Sequence, residues 1–220
     1  GTCYLGRKLR LMLLLKDEEL ERLLSPSELV DAVEAAMIAD EAGTHKVPQR
    51  SHIGFGDNTI LLMPAIGPEG YGTKVVSVMP GNPAKGLPMI SGLYILNHPD
   101  TGAILALMGT AKLTALRTGA IGGVGVKALT HPQLDSFVMI GCGVQSRMLA
   151  RCICAVRPVR EMVCVTRGEE SFIRFREELQ PLLPQVNFKR EPDAPKSVSE
   201  AALVVAATTS ADPVFPDDPE

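Results

Sequence analysis

The sequence predicts a mixed α/β chain in which a strand-rich α+β domain precedes a domain built on a parallel sheet. Three observations carry this: short apolar runs broken by turns from Val47 to Met108, a regular alternation of strand and helix patterns after Ser136, and a composition able to bury a core. Of 220 residues, 45% are hydrophobic and 21% charged, enough apolar surface to offset the entropy of ordering the chain. Lys and Arg number 22 against 25 Asp and Glu, a net charge of −3. No basic excess is available to neutralise a run of phosphates, so a nucleic-acid partner is not expected.

The apolar run Leu11 to Leu15 follows Arg7, Lys8 and Arg10 but meets Lys16-Asp17-Glu18-Glu19, too soon for a signal peptide or a membrane span. It reads as a buried first strand or loop of a cytoplasmic protein with no membrane partner. A short helix from Asp17 to Leu24 precedes a longer one that opens at Ser25-Pro26-Ser27-Glu28. There Ser25 caps, Pro26 takes the first helical position and Glu28 completes a capping box. Gly43 is the expected stop, and Leu29, Val33, Ala36 and Met37 form the expected apolar stripe. Strands are expected at 60–63, 73–78, 94–96 and 103–107, separated by turns such as Pro80-Gly81-Asn82-Pro83 and joined antiparallel. Helix returns from Thr110 to Leu129 with Leu113, Leu116, Ala120 and Val124 on one stripe. It also holds Gly119, Gly122, Gly123 and Gly125, each costing roughly 0.5–1 kcal/mol relative to alanine, so close packing against another backbone is the expected compensation.

From Ser136 the expected order is strand 137–140, helix 145–156, strand 162–165, helix 169–179, strand 186–189, helix 198–201 and strand 203–207, which implies a parallel sheet. A boundary near Thr130-His131-Pro132 divides the chain into domains at 1–130 and 131–220. Five cysteines, Cys3, Cys142, Cys152, Cys154 and Cys164, form no CxxC and have no histidine at metal spacing. They read as reduced, mostly buried thiols, with no metal expected.

Gly141-Cys142-Gly143-Val144-Gln145-Ser146 follows an expected strand and opens an expected helix, the context that the G-x-G-x-x-G dinucleotide fingerprint requires. Gly141 permits the tight turn and Gly143 lets the backbone approach a pyrophosphate, whose charge meets the helix N-terminus. Ser146 replaces the third glycine and is small enough for the helix–strand contact. The second strand ends Val165-Thr166-Arg167, without the acid that grips the ribose hydroxyls of NAD. Arg167 is either an exposed surface residue or, with Thr166, a partner for a 2′-phosphate, which favours NADP(H) over NAD(H).

Together with Gly72-Thr73-Lys74-Val75-Val76, Pro80-Gly81-Asn82-Pro83, Leu113-Thr114-Ala115-Leu116-Arg117-Thr118-Gly119-Ala120 and Ile140-Gly141-Cys142-Gly143-Val144-Gln145, this turn makes the chain resemble the ornithine cyclodeaminase and mu-crystallin family. That family also includes alanine dehydrogenases and ketimine reductases, and the resemblance runs from Leu13 to the end. It implies a substrate-binding and dimerisation domain, a Rossmann domain, a homodimer, and hydride transfer at the α-carbon of a small amino or imino acid. The outcome is net redox in a reductase or dehydrogenase and ammonia loss in a cyclodeaminase, and a non-catalytic binding protein of the mu-crystallin kind is the alternative. Arg50, Lys74 and Arg117 match the family's cations around the substrate carboxylate. Lys74 is the candidate for proton transfer, because a buried lysine shifts its pKa whereas arginine does not deprotonate. Val144, Gln145 and Ser146 belong to the nucleotide turn, and Thr208, Thr209 and Ser210 match the segment beside the nicotinamide. Two departures stand out. Gly109 occupies a place where members often carry an acid, and none of Asp212, Asp217 and Asp218 matches the family's catalytic aspartate, so the chain reads as C-terminally truncated at Glu220.

Overall fold

A computed structural model describes residues 12–215 of the chain. Cys3, Arg7, Lys8, Arg10, Leu11, Asp217, Asp218 and Glu220 therefore lie outside the described residues. The described residues divide into two compact units, one of residues 12–23 and 36–114 and the other of residues 24–35 and 115–215. The division falls inside the helix Thr110–Leu129, while residues 130–135 mark the passage from that helix to the parallel sheet.

The first unit is a six-stranded sheet. Its strands are β1 (Leu13–Leu15), β2 (Ser51–Phe55), β3 (Asn58–Gly67), β4 (Gly70–Val78), β5 (Ile90–Asn97) and β6 (Ile104–Gly109), in the order β1-β6-β5-β4-β3-β2. The expected antiparallel meander is present from β3 to β6. Strand β2 was not expected from the pattern. It pairs with β3 as a hairpin closed at Gly56-Asp57, where Gly56 takes φ +56°. Strand β1 corrects a second expectation. It is a strand, parallel to β6, but Leu13 and Leu14 are 57% and 62% exposed, because an edge strand of three residues has a neighbour on one side only.

Cross-strand register sorts the sheet's side chains by face. Tyr71 opposes Ile66, Val75 opposes Leu62 and Leu93, and Leu107 opposes Ile95 and Leu14, so one face carries apolar pairs, with Thr73, Ser77 and Asn97 set among them. Lys74 opposes Met63 and Tyr94 on the other face, which also holds the buried Val76 and Ala106.

Helix α1 (Asp17–Leu23) follows β1, and α2 (Pro26–Glu41) opens on the expected capping box: the Ser25 amide donates to Glu28 Oε2 at 2.8 Å and the Glu28 amide to Ser25 Oγ at 3.3 Å. Beyond the helix Gly43 takes φ +73°, and the Thr44 amide closes on the Ala39 carbonyl, a left-handed C-terminal stop. The apolar stripe differs from expectation. Leu29 and Val30 are buried, whereas Met37 is 51% exposed.

The second unit holds β7 (Ser136–Ile140), β8 (Glu161–Val165), β9 (Asn187–Arg190) and β10 (Val204–Ala206), all parallel in the order β10-β7-β8-β9. Between them run α4 (Val144–Val156), α5 (Glu169–Leu179) and α6 (Ala194–Ser199), after α3 (Thr110–Leu129), which matches its expected bounds. The core gathers Phe137, Met139, Ile153, Met162 and Phe175, and Phe175 meets Phe188 edge to face at 6.1 Å. Helix α6 starts four residues before the expected 198 because Asp193 caps it, accepting the Lys196 amide at 3.2 Å, with Pro195 in the first turn. An Asp-x-Pro start was the overlooked signal.

The α3 glycines do pack closely. A Cβ on Gly119 would lie 2.8 Å from the Met148 carbonyl oxygen, and one on Gly123 would strike Val30 and sit 3.2 Å from Cys152 Cβ. Gly125 is the exception, with open space around it. No glycine stops α3. Arg157 serves its C-terminus instead, donating to the carbonyls of Val126, Lys127 and Thr130 at 3.1, 2.6 and 3.1 Å. Among the described residues no helix is long and apolar enough to cross a membrane.

Candidate functional site

In the second unit the glycine turn is stitched between its neighbours. The Gly141 amide donates to the Val165 carbonyl at 2.8 Å, and the Ala207 amide donates to the Ile140 carbonyl at 2.9 Å. Gly141 has φ +97°, and a Cβ there would lie 2.5 Å from the Ala207 oxygen, so glycine is needed twice over. Gly143 is different: it caps α4 with extended backbone, offers no side chain to the helix amides, and has nothing within 4 Å of its Cβ direction. The first amides of α4 are thus left for an anion, with open space beside Gly143 for it to approach. Val144 is exposed on the first turn, and Gln145 Oε1 is buried without a hydrogen-bond partner among the described residues. Ser146 is fully buried with Oγ 3.5 Å from the Ala207 oxygen, the small-residue contact expected of the third fingerprint position.

A cleft of about 280 Å³ opens at the C-terminal ends of β7 and β8, lined by Gly141, Val165, Thr166, Arg167, Thr208 and Ser210 among others. Five of the sequence-selected nucleotide residues meet there. Thr209 is exposed and off its lining. The segment is shaped by its own side chains, with the Ser210 amide donating to Thr208 Oγ1 at 3.1 Å and Ser210 Oγ to the Asp212 carbonyl at 2.8 Å. Cys142 turns into the core, where a hydrogen bond with Cys164 holds its thiol below the usual range, Arg147 and Arg190 adding to the effect. The same bond, with burial, pushes Cys164 up. Burial alone pushes Cys154 to about 12. The four described cysteines are free thiols, and among the described residues no cluster of His, Cys, Asp or Glu is placed to hold a metal ion.

In the first unit Lys74 is half-buried on β4, and its Nζ donates to Thr114 Oγ1 at 3.4 Å. Tyr94, directly opposite on β5, escaped the sequence reading. Its hydroxyl lies over Gly72, and burial raises its pKa. Only the register of the β4–β5 hairpin identifies it as the neighbour of Lys74. Arg50 is exposed just before β2. Arg117 is exposed on the part of α3 that belongs to the second unit.

Gly109 also has a structural reason. A Cβ there would fall 2.7 Å from Asp17 Oδ1, and that same oxygen accepts the Lys112 amide at 2.9 Å. The acid expected in the turn before α3 is supplied by α1, and Lys112 Nζ reaches Glu21 at 2.8 Å to strengthen the junction.

Residues 10–219 match the ornithine cyclodeaminase/mu-crystallin family. A Delta(1)-pyrroline-2-carboxylate reductase of Bacillus thuringiensis subsp. konkukian is 31% identical over 93% of this chain and 64% of its own length. The solved Delta(1)-pyrroline-2-carboxylate reductase of Thermococcus litoralis, in complex with NADH and L-proline, superposes with TM-score 0.83 at 35% identity, over 92% of this chain and 64% of that one. An archaeal alanine dehydrogenase dimer with bound NAD gives TM-score 0.83 at 32% identity, over 93% and 62%. The chain thus spans under two thirds of the length of these relatives. With the glycine turn, the lysine strand and the arginine helix all present, the chain belongs to the ornithine cyclodeaminase/mu-crystallin family.

Proposed function

We propose that this chain supplies the nucleotide-binding and substrate-binding residues of an enzyme that moves hydride to or from the α-carbon of a small amino or imino acid, with NADP(H) preferred to NAD(H). The observation that carries the reading is the cradle of the second unit: Gly141 locked under Ala207, Gly143 open, α4 without a side-chain cap, and Thr166 and Arg167 lining the adjoining cleft. A nicotinamide nucleotide supplies or accepts the hydride. The α4 amides hold its pyrophosphate, and Arg167 with Thr166 takes the 2′-phosphate. Arg50 and Arg117 hold the substrate carboxylate through paired donors, and Lys74 exchanges a proton at the substrate nitrogen. The reductase and dehydrogenase named above support a net redox reaction over ammonia loss.

The chain acts as a homodimer in this reading. The support is the exposed apolar side chains on that face of the first unit, where Ile53, Ile66 and Leu93 are 49%, 48% and 37% exposed; exposed apolar clusters mark interfaces. Sedimentation of the full-length protein as twice its chain mass is the expected result.

The function itself is tested by following reduced nicotinamide with Delta(1)-pyrroline-2-carboxylate and other cyclic imines and with keto acids plus ammonia, and by following ammonia release from ornithine, where the cofactor is regenerated and shows no net change. Oxidation of NADPH by a cyclic imine or a keto acid supports the proposal. Tight nucleotide binding with no turnover on any of them transfers the protein to the non-catalytic reading, and no nucleotide binding contradicts both.

A further inference from the structure

Two main-chain oxygens beside the cleft are held by an arginine that does not line it. Arg190, the last residue of β9, donates from Nη2 to the carbonyls of Thr166 and Arg167 at 3.4 and 3.2 Å. Arg190 lines a separate cavity of the same unit. A trans peptide sets C=O and N–H on opposite sides, and there is no cis peptide in the described chain. Fixing these two carbonyls on Arg190 therefore turns the amides of Arg167 and Gly168 the other way.

The distinction matters chemically. A ribose 2′-hydroxyl is gripped by an acceptor, whereas a 2′-phosphate presents only acceptors and needs donors. With Arg190 in place, the loop after β8 offers two amides and the Arg167 guanidinium rather than free carbonyl oxygens. Arg190 Nε is buried with no hydrogen-bond partner among the described residues, while Nη2 carries both carbonyl bonds. The nearest acid in sequence, Glu191, is engaged elsewhere, accepting the Asp193 amide at 3.1 Å with Lys196 at 3.9 Å. Glu169 and Glu170 are exposed on the first turn of α5.

We propose that Arg190 is the positioning residue for nucleotide choice: by holding the Thr166 and Arg167 carbonyls it keeps the ribose loop in a donor-presenting conformation that selects the 2′-phosphorylated nucleotide. This rests on the NADP(H) reading of Arg167, and the test separates the two. Dissociation constants for NADPH and NADH are measured by nicotinamide fluorescence on the full-length protein, for wild type, Arg167→Ala, Arg190→Met, Arg190→Lys and the Arg167→Ala/Arg190→Met double variant. Arg190→Met is expected to weaken NADPH about tenfold while NADH stays within about twofold, the scale of one charge-assisted hydrogen bond. Arg190→Lys, which keeps the charge and loses the fork, shifts the ratio in the same direction and carries the test if Arg190→Met does not fold. In the Arg167→Ala background Arg190→Met changes the ratio little further, because the loop has already lost its phosphate partner.

A wild type that binds both nucleotides equally overturns the NADP(H) reading and this proposal with it. A wild-type preference that Arg167→Ala removes, but that both Arg190 variants retain, overturns the role of Arg190 alone. Equal weakening of both nucleotides in the Arg190 variants also overturns it, leaving a merely structural residue.

Discussion

Gly141 and Gly143 are two residues apart and constrained by opposite things. At Gly141 both the backbone and the space are closed: φ is +97° and the Ala207 oxygen stands 2.5 Å from any Cβ. Gly141→Ala is expected to destabilise the fold by about 1–3 kcal/mol and to lose nucleotide binding as a consequence. Gly143 has ordinary backbone and open space, so Gly143→Val should unfold near the wild-type temperature yet fail to bind either nucleotide. Thermal unfolding alongside a nucleotide titration checks the contrast. Both glycines were legible from their spacing between a strand pattern and a helix pattern. Asp17 was not, because its bond to the Lys112 amide joins residues 95 apart in sequence.

Under the roles proposed above, the three cations respond differently to substitution. Lys74→Arg is expected to keep the charge and lose turnover, since arginine does not deprotonate. Arg117→Ala should raise KM strongly and lower kcat as well, because a loosened carboxylate misplaces the α-carbon, with Arg50→Ala milder. Steady-state kinetics of the three variants checks this, and full activity in Lys74→Arg would reduce that lysine to a carboxylate-binding cation. Their proposed parts follow from the family resemblance of the motifs that carry them. Tyr94 was hidden, since facing Lys74 depends on a register that only hairpin pairing sets.

At the scale of elements, α3 shows why glycine count alone misleads. Gly119 is pressed on the Met148 main chain, whereas Gly125 faces open space. Gly125→Ala is expected to stabilise by about 0.5–1 kcal/mol through helix propensity alone, while Gly119→Ala destabilises because its methyl would collide with α4. Denaturant unfolding of the two variants gives opposite signs if the contact is as described.

Helix α4 adds a pH signature. Burial pushes the Cys152 thiol up to about 11, against an ordinary value of about 8.5 in the unfolded chain. A folded-state pKa raised in this way gives stability that is complete below the unfolded value and is lost as pH rises toward the folded one. Unfolding temperature should therefore fall between about pH 8.5 and 11, and less steeply in Cys152→Ala. Elements with strong periodicity or caps, such as α2, α3 and the β7–α4–β8 run, were readable locally. The exposed β1, the hairpin strand β2 and the early start of α6 were not, because edge position, pairing and the Asp193 cap decide them.

On the scale of the whole molecule, the order of textures along the chain was enough to predict a strand-rich unit and a parallel sheet. The finer division was not, since residues 24–35 join the second unit and the boundary falls within α3; a helix that continues unbroken gives no compositional sign of a change in packing partner. In the function proposed above, the central event is hydride passing between nicotinamide and an α-carbon. The most direct measurement uses NADPH carrying deuterium at the transferable nicotinamide position, a cyclic imino acid, and mass spectrometry of the amino acid formed by the full-length protein. The account requires one deuterium per product molecule, located on the α-carbon; product with no deuterium, or with deuterium at any other carbon, would contradict it.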